Sequence, residues 1–263
     1  MKITTLLENT TCRSGVGCEH GLSQLIETRE HTILFDTGAS GLFAENARAL
    51  GKDLRRVELL FLSHAHNDHG GGIAAFCRAN GSAPIFLSRE AWGRYFVVTP
   101  QKKAYIGLDD ALHEQETRLR YLSGVTERRF WSGANDTLRE EKDGAYPCDP
   151  FRHEQNLIVT EDGVSVLFAG CAHCGIVNIL RRAEEILGRA PDFVLGGFHL
   201  FNPSLGTSEP RERVESIARE LAAREHTRYY TGHCTGTEAF ALLRETLGER
   251  IQPMPAGSEL TLG

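Results

Sequence analysis

The chain has 263 residues, 41% hydrophobic and 24% charged, a profile that suits a globular protein with a substantial core and excludes disorder as its main theme. Its formal net charge is −6 and no stretch concentrates lysine and arginine, so neither nucleic acid nor an anionic membrane is expected as a partner. No apolar run approaches bilayer-spanning length, and the segment from Met1 to Glu8 turns polar too early for a secretory signal, so a cytoplasmic location is expected.

In a reducing compartment the seven cysteines would be thiols rather than a disulfide framework, and the eleven histidines are the second unusual count. No repeat or low-complexity linker interrupts the chain, so one domain over residues 1–263 is expected. Gly21 to Glu27 and Thr32 to Asp36 read as an antiparallel strand pair, and Ser40 to Leu50 as a helix stopped by Gly51. Val57 to Leu62 is a buried strand that ends directly in Ser63-His64-Ala65-His66-Asn67-Asp68-His69 and three glycines. A helix through Ile73 and Phe76 and a strand near Pro84 to Leu87 follow.

Residues 88–152 mix Trp92, Tyr95, Phe96, Tyr105, Tyr121, Phe130 and Trp131 with many charges, and are read as an insertion or lid folded over the core. Beyond it, Asn156 to Thr160 and Val164 to Ala169 form a hairpin about Asp162-Gly163. Helices near Gly175 to Leu187, Arg211 to Arg224 and Thr237 to Leu247 alternate with strands near Phe193 to Leu195 and Arg228 to Tyr230. Strand after strand ends in His, Asp or Cys.

The run from His64 to His69 carries the chemistry. In such a turn His64 and His66 can converge on one cation while Asp68 and His69 address a neighbouring position, a donor mixture suited to zinc or another borderline first-row ion. Cys171-Ala172-His173-Cys174 also fits a C-x-x-C dithiol between a strand and a helix, so a redox or metal-sensing protein using Cys171 and Cys174 is the alternative expectation. Gly232-His233-Cys234-Thr235-Gly236 offers an anion cradle that includes Thr235, or a plain helix cap.

The pattern His64-x-His66-x-Asp68-His69 resembles the signature of the metallo-β-lactamase superfamily, and Asp36-Thr37-Gly38 resembles that family's upstream strand-end element, whose Asp supports the metal loop by hydrogen bonding. Glu19-His20-Gly21-Leu22-Ser23, Gly170 to Asn178, Gly196-Gly197-Phe198-His199-Leu200 and Gly232 to Gly236 are similar to the subgroup named for a dihydropterin ribofuranosyl-aminobenzene phosphate synthase. The resemblance implies an α/β fold of the four-layer αβ/βα sandwich type, with a metal site at one edge of its two sheets. It also implies that His64, His66 and His173 hold one divalent ion and Asp68, His69 and His233 a second.

Zinc is the expected metal, with iron and manganese open. His66 stands where flavo-diiron proteins of this fold usually have Glu, which argues against oxygen reduction. Where most of the family has a Gly-Asp that bridges both ions the chain has Gly170-Cys171, so either Cys171 is a thiolate ligand, or His173 serves instead, or the second ion binds weakly and one or two ions are expected; His153 stands where the subgroup more often has an acid. His199 and His20 are candidate pocket residues. Two ions about 3.5–4 Å apart would activate water or stabilise a leaving group, with Asp68 orienting the water. The expected activity is a hydrolase or transferase acting on a phosphorylated or ester small molecule, with a pterin suggested by the subgroup.

Overall fold

Side chains alternate along the strands between two different apolar layers, and this alternation dictates the architecture of the computed structural model, which describes residues 1–122 and 131–263. From the N-terminus, β1 (Lys2–Leu7), β2 (Ser23–Glu27) and β3 (Thr32–Phe35) form an antiparallel run. Then come α1 (Leu42–Ala49), β4 (Leu59–Phe61), the one-turn α2 (Asn67–Gly70), α3 (Ile73–Ala79) and β5 (Ile85–Ser88). In β2 and β3, Leu25 and Leu34 face Phe43, Ile73 and Phe76 in a layer shared with α1 and α3. Their neighbours Ile26, Ile33 and Phe35 point the other way, toward Val166, Phe168 and Leu195.

Residues 88–152 contribute β6 (Tyr95–Val98), β7 (Lys103–Tyr105), β8 (Leu119–Leu122) and β9 (Leu138–Glu140). β7, β6 and β9 form a three-stranded sheet of their own, whereas β8 pairs in parallel with β5. The segment is therefore partly a separate layer and partly an edge of the main sheet. Phe130 lies outside the described residues.

The second half repeats the alternation. β10 (Leu157–Glu161) and β11 (Val164–Phe168) form the expected hairpin, with Asp162 and Gly163 both at positive φ as a tight turn of this kind requires. α4 (Ile176–Leu187) leads to β12 (Phe193–Gly197), and the small ribbon β13 (Phe201–Asn202) and β14 (Thr207–Ser208) precedes α5 (Arg211–Ala222). The chain finishes with β15 (Arg228–Gly232), α6 (Thr237–Leu247), β16 (Ile251–Pro253) and β17 (Glu259–Thr261). Leu167 and Val194 face a layer with Val177, Leu180, Val214, Leu221 and Leu243 of α4, α5 and α6.

One sheet has the order β17-β1-β2-β3-β4-β5-β8 and the other β10-β11-β12-β15-β16. Stacked face to face with helices outside each, they make the four-layer αβ/βα sandwich. The parallel strands β3 and β4 of one sheet and β11, β12 and β15 of the other end near the residues expected to carry chemistry. Loops at the carboxyl ends of parallel strands are the usual place for a site. Among the described residues no helix is long and apolar enough to cross a membrane.

Candidate metal centre

β4 ends at Phe61, and the chain turns through Ser63 into α2, so that His64, His66, Asp68 and His69 come from one loop and one helical turn. The glycines that follow permit a close approach of backbone to backbone. A Cβ on Gly71 would lie 2.3 Å from the Ala39 carbonyl oxygen, and one on Gly72 would lie 2.3 Å from that of Thr37. They therefore seat the turn after β3 against α2. That turn carries Asp36, itself at positive φ.

Two adjacent groups of donors result. One donor atom from each of His64, His66 and His173 lies within 4.8 Å of the others, and the same holds for Asp68, His69, Cys171 and His233. Apart from Asp68, all of these residues are buried. His64 Nε2 and His173 Nε2 stand 3.3 Å apart, and His69 Nε2 and His233 Nε2 stand 3.2 Å apart. The Cys171 sulfur is 3.0 Å from His69 Nε2, and Asp68 Oδ2 is 3.3 Å from His233 Nε2.

The surrounding hydrogen bonds assign the tautomers. Asn135 donates its amide to the His173 carbonyl, so its Oδ1 accepts from His173 Nδ1–H at 2.8 Å. Ser63 gives its only hydroxyl proton to Asp36 Oδ2 at 2.6 Å, so its oxygen accepts from His64 Nδ1–H at 2.9 Å. Both protons are thus on Nδ1, and the Nε2 lone pairs of His64 and His173 face one another. That juxtaposition is repulsive on its own and is relieved by a cation between them, so the donors present fit a divalent metal.

The ionisation states differ between the groups. Burial, with neighbouring imidazoles, pushes His66 down to about 3 and holds His64 and His173 well below the ordinary histidine range. Burial acts the same way on His69, but Asp36 and Asp68 outweigh it and raise that histidine to about 9. For Asp68 the cost of burial is overcome by His69 and by hydrogen bonds with His20 and His233, so its carboxyl is held well below the usual range. Burial pushes the Cys171 thiol up, and the adjacent Cys234 sulfur adds to this.

Several partners of these residues, His153 apart, carry no sequence signal. Asn9 Oδ1 accepts from His233 Nδ1 at 2.8 Å, and Glu8 accepts the His233 backbone N–H at 2.5 Å. Glu154 accepts the backbone N–H groups of His173 and Cys174 at 2.6 and 2.8 Å, and burial raises its carboxyl above the usual value. His153 accepts the Ala65 N–H through Nδ1 and pairs through Nε2 with Asp149 at 3.0 Å, so it buttresses the loop that carries His64 and His66. Asp149 Oδ2 in turn lies 4.0 Å from His66 Nε2.

The remaining candidates fall at different distances from this centre. His20, half exposed, places Nε2 3.2 Å from Asp68 Oδ2 at the rim. The His199 ring packs at a tilt against that of His173, with centroids 4.1 Å apart. Thr235 is fully buried, and its hydroxyl accepts from the Phe198 N–H and pairs with Thr231, tying the ends of β12 and β15 together. Cys174 lies with Val97, Leu138 and Phe151, its sulfur 4.0 Å from the Phe151 carbonyl oxygen. The sulfur grouped with Cys171 is that of Cys234, so C-x-x-C spacing does not identify the neighbouring thiol.

Comparison with known proteins agrees with the geometry. The 7,8-dihydropterin-6-methyl-4-(β-D-ribofuranosyl)-aminobenzene-5'-phosphate synthase of Methanocaldococcus jannaschii is 28% identical over 289 aligned positions, covering 98% of this chain and 95% of the relative. The solved structure of a metal-dependent hydrolase of the β-lactamase superfamily superposes with a TM-score of 0.80 at 26% identity, covering 100% of this chain and 99% of that one. A diphosphatase of the PhnP family shares the fold, with a TM-score of 0.51 at 16% identity over 98% of this chain and 96% of that one. The model of the metallo-β-lactamase superfamily matches residues 16–233, and the chain belongs to that superfamily.

Proposed function

We propose that this protein is a metal-dependent hydrolase or transferase acting on a phosphorylated or ester small molecule. The observation that carries the reading is the convergence of His64, His66 and His173 beside Asp68, His69 and His233, with the Nε2 lone pairs of His64 and His173 directed at one another. His64, His66 and His173 would hold one divalent ion, zinc by donor chemistry, and Asp68, His69, His233 and Cys171 a second. Bound there, such ions supply Lewis-acid polarisation of a phosphoryl or carbonyl oxygen and acidify water.

The protein's own groups orient and enclose. Asp68, pinned by His20 and His233, presents a carboxylate oxygen that can accept a proton from an attacking or leaving group at the rim. His20, a half-exposed side chain, can hold a proton on Nε2 against Asp68. Phe151, stacked at 4.3 Å on His173, and Tyr95, 4.0 Å from His153, keep water from the side of His66. Both come from residues 88–152, which supports a role for that segment as an insertion over the site. Similarity to the synthase supports a pterin-related phosphorylated substrate.

The test is elemental analysis of the purified protein together with turnover of pterin pyrophosphates, phosphodiesters, lactones and thioesters. His66→Ala is expected to lower metal content and to abolish turnover. Unchanged metal and unchanged rate in that variant would reject the reading.

A further inference from the structure

β11, β12 and β15 are adjacent and parallel, so the residues just after them emerge side by side. The chain places Cys171, His199 and Cys234 at those three ends. One donor atom from each lies within 4.8 Å of the others, and all three residues are buried. Neither ring nitrogen of His199, a residue only 5% exposed, reaches a nitrogen or oxygen partner among the described residues, and the polar neighbour of its ring is the Cys234 sulfur. A buried imidazole with both nitrogens unpartnered is costly unless something else occupies its lone pair.

The surroundings fix the three donors rather than leaving them to wander. The His199 backbone is held at φ 45, with its carbonyl accepting the Ser132 hydroxyl at 2.5 Å. The Cys234 sulfur fits only because residue 197 is glycine, where a Cβ would lie 2.5 Å from it. It also sits 3.6 Å from the Cys171 carbonyl oxygen.

The geometry points to a further metal site, formed by Cys171, His199 and Cys234, that takes a thiophilic divalent cation of the zinc and cadmium class. Two sulfurs and one imidazole are the donors such ions prefer, and a fourth position stays open. Binding takes one proton from each thiol to solvent, and the two thiolates then balance the charge of the ion. The site rests on the proposed two-ion centre only through Cys171, which lies in both groups. Cys234 and His199 belong to neither histidine set of that centre, so they test the new site separately.

The experiment equilibrates the full-length protein with excess Cd2+ under anaerobic reducing conditions, removes free ion by gel filtration, and measures bound cadmium and sulfur-to-cadmium charge-transfer absorbance. Three equivalents are expected for the wild type. Cys234→Ala and His199→Ala should each bind one fewer, and Cys234→Ala should lose about half of the charge-transfer intensity. Cys234→Ser serves as a second variant should the alanine disturb packing, with near-ultraviolet circular dichroism reporting the fold. A wild type that stops at two equivalents, or folded variants that bind as many ions as the wild type, would overturn the site. A folded variant carrying both His66→Ala and His69→Ala that keeps one equivalent, lost on adding Cys234→Ala, would support this site even where the neighbouring centre fails, whereas loss of all cadmium in that folded double variant would overturn it.

Discussion

Asp36 Oδ2 lies 2.6 Å from Nδ1 of His69, and the same carboxylate accepts the Ser63 backbone N–H through Oδ1 at 2.7 Å and the Ser63 hydroxyl through Oδ2 at 2.6 Å. One fully buried carboxylate therefore fixes the ring of His69 and, through Ser63, the tautomer of His64. Groups that orient metal-binding imidazoles typically change metal affinity by 10–100-fold when removed. Asp36→Asn keeps the shape but not the charge. It is expected to weaken cation binding at the Asp68, His69 and His233 group by about that factor, read by competition with a chromophoric chelator. An affinity equal to that of wild type would show that His69 does not depend on Asp36.

Asn135 comes from the aromatic and charged segment, yet it grips His173 at both its carbonyl and its Nδ1. Asn135→Ala should lower affinity at the His64, His66 and His173 group by roughly tenfold, whereas Asn135→Asp, which retains an acceptor for Nδ1–H, should recover most of it. Equal losses in the two variants would mean that the acceptor is not what matters.

The two groups should respond differently to pH. With His66 near 3, and His64 and His173 also held low, that group is already deprotonated across the neutral range, so a cation there displaces no imidazole proton. His69, raised to about 9, is protonated at neutral pH, and a cation must displace that proton. Affinity at the second group should thus rise with pH, by about tenfold per unit below pH about 9 for the His69 proton alone and more steeply, continuing above pH 9, where Cys171 with its raised thiol also binds, while the first group stays flat from pH 5 to 9. Calorimetric titration with Zn2+ in buffers of differing ionisation enthalpy measures the protons released. Identical release at both groups would contradict this asymmetry.

Stability should track the layer between the sheets. Phe168 is fully buried there against Phe35, with ring centroids 5.8 Å apart. Phe168→Ala is expected to cost about 3–5 kcal/mol in denaturant unfolding, while Leu205→Ala, at a half-exposed position, should stay within about 0.5 kcal/mol of wild type. Gly196 adds a backbone case. It sits at φ 146, and a Cβ there would lie 1.8 Å from the Ala169 carbonyl oxygen, so Gly196→Ala should destabilise by roughly 3 kcal/mol by forcing β11 and β12 apart.

The loop from His64 to His69 was legible because its ligand types are contiguous and follow an apolar run, so spacing alone brings them together. His173 and His233 were legible only through resemblance, since nothing local to them says that the ends of β11 and β15 face α2. Asn135, Asn9 and Glu8 were missed because a hydrogen bond to a histidine 38, 224 or 225 positions away leaves no period or spacing to read. Tertiary pairing also decided the edge strands. β16 and β17 have three residues each, too few for an alternation to register, and β17 exists because β1 offers it an edge. Cys234 was not singled out as the partner of Cys171 for the same reason: the parallel strands β11, β12 and β15, not sequence spacing, bring the two together.

Every donor in the His64 to His69 loop belongs to the sheet built mostly from the first half of the chain, while His173 and His233 belong to the other sheet. Neither half owns a complete ligand set. A cation held by both groups would consequently behave as a removable crosslink between the two sheets, closing chain loops of 109 residues from His64 to His173 and 164 from His69 to His233. Docking of the halves and capture of the ion are then a single equilibrium, so fragments cut near residue 150 should associate more tightly when the metal is present than when it is chelated.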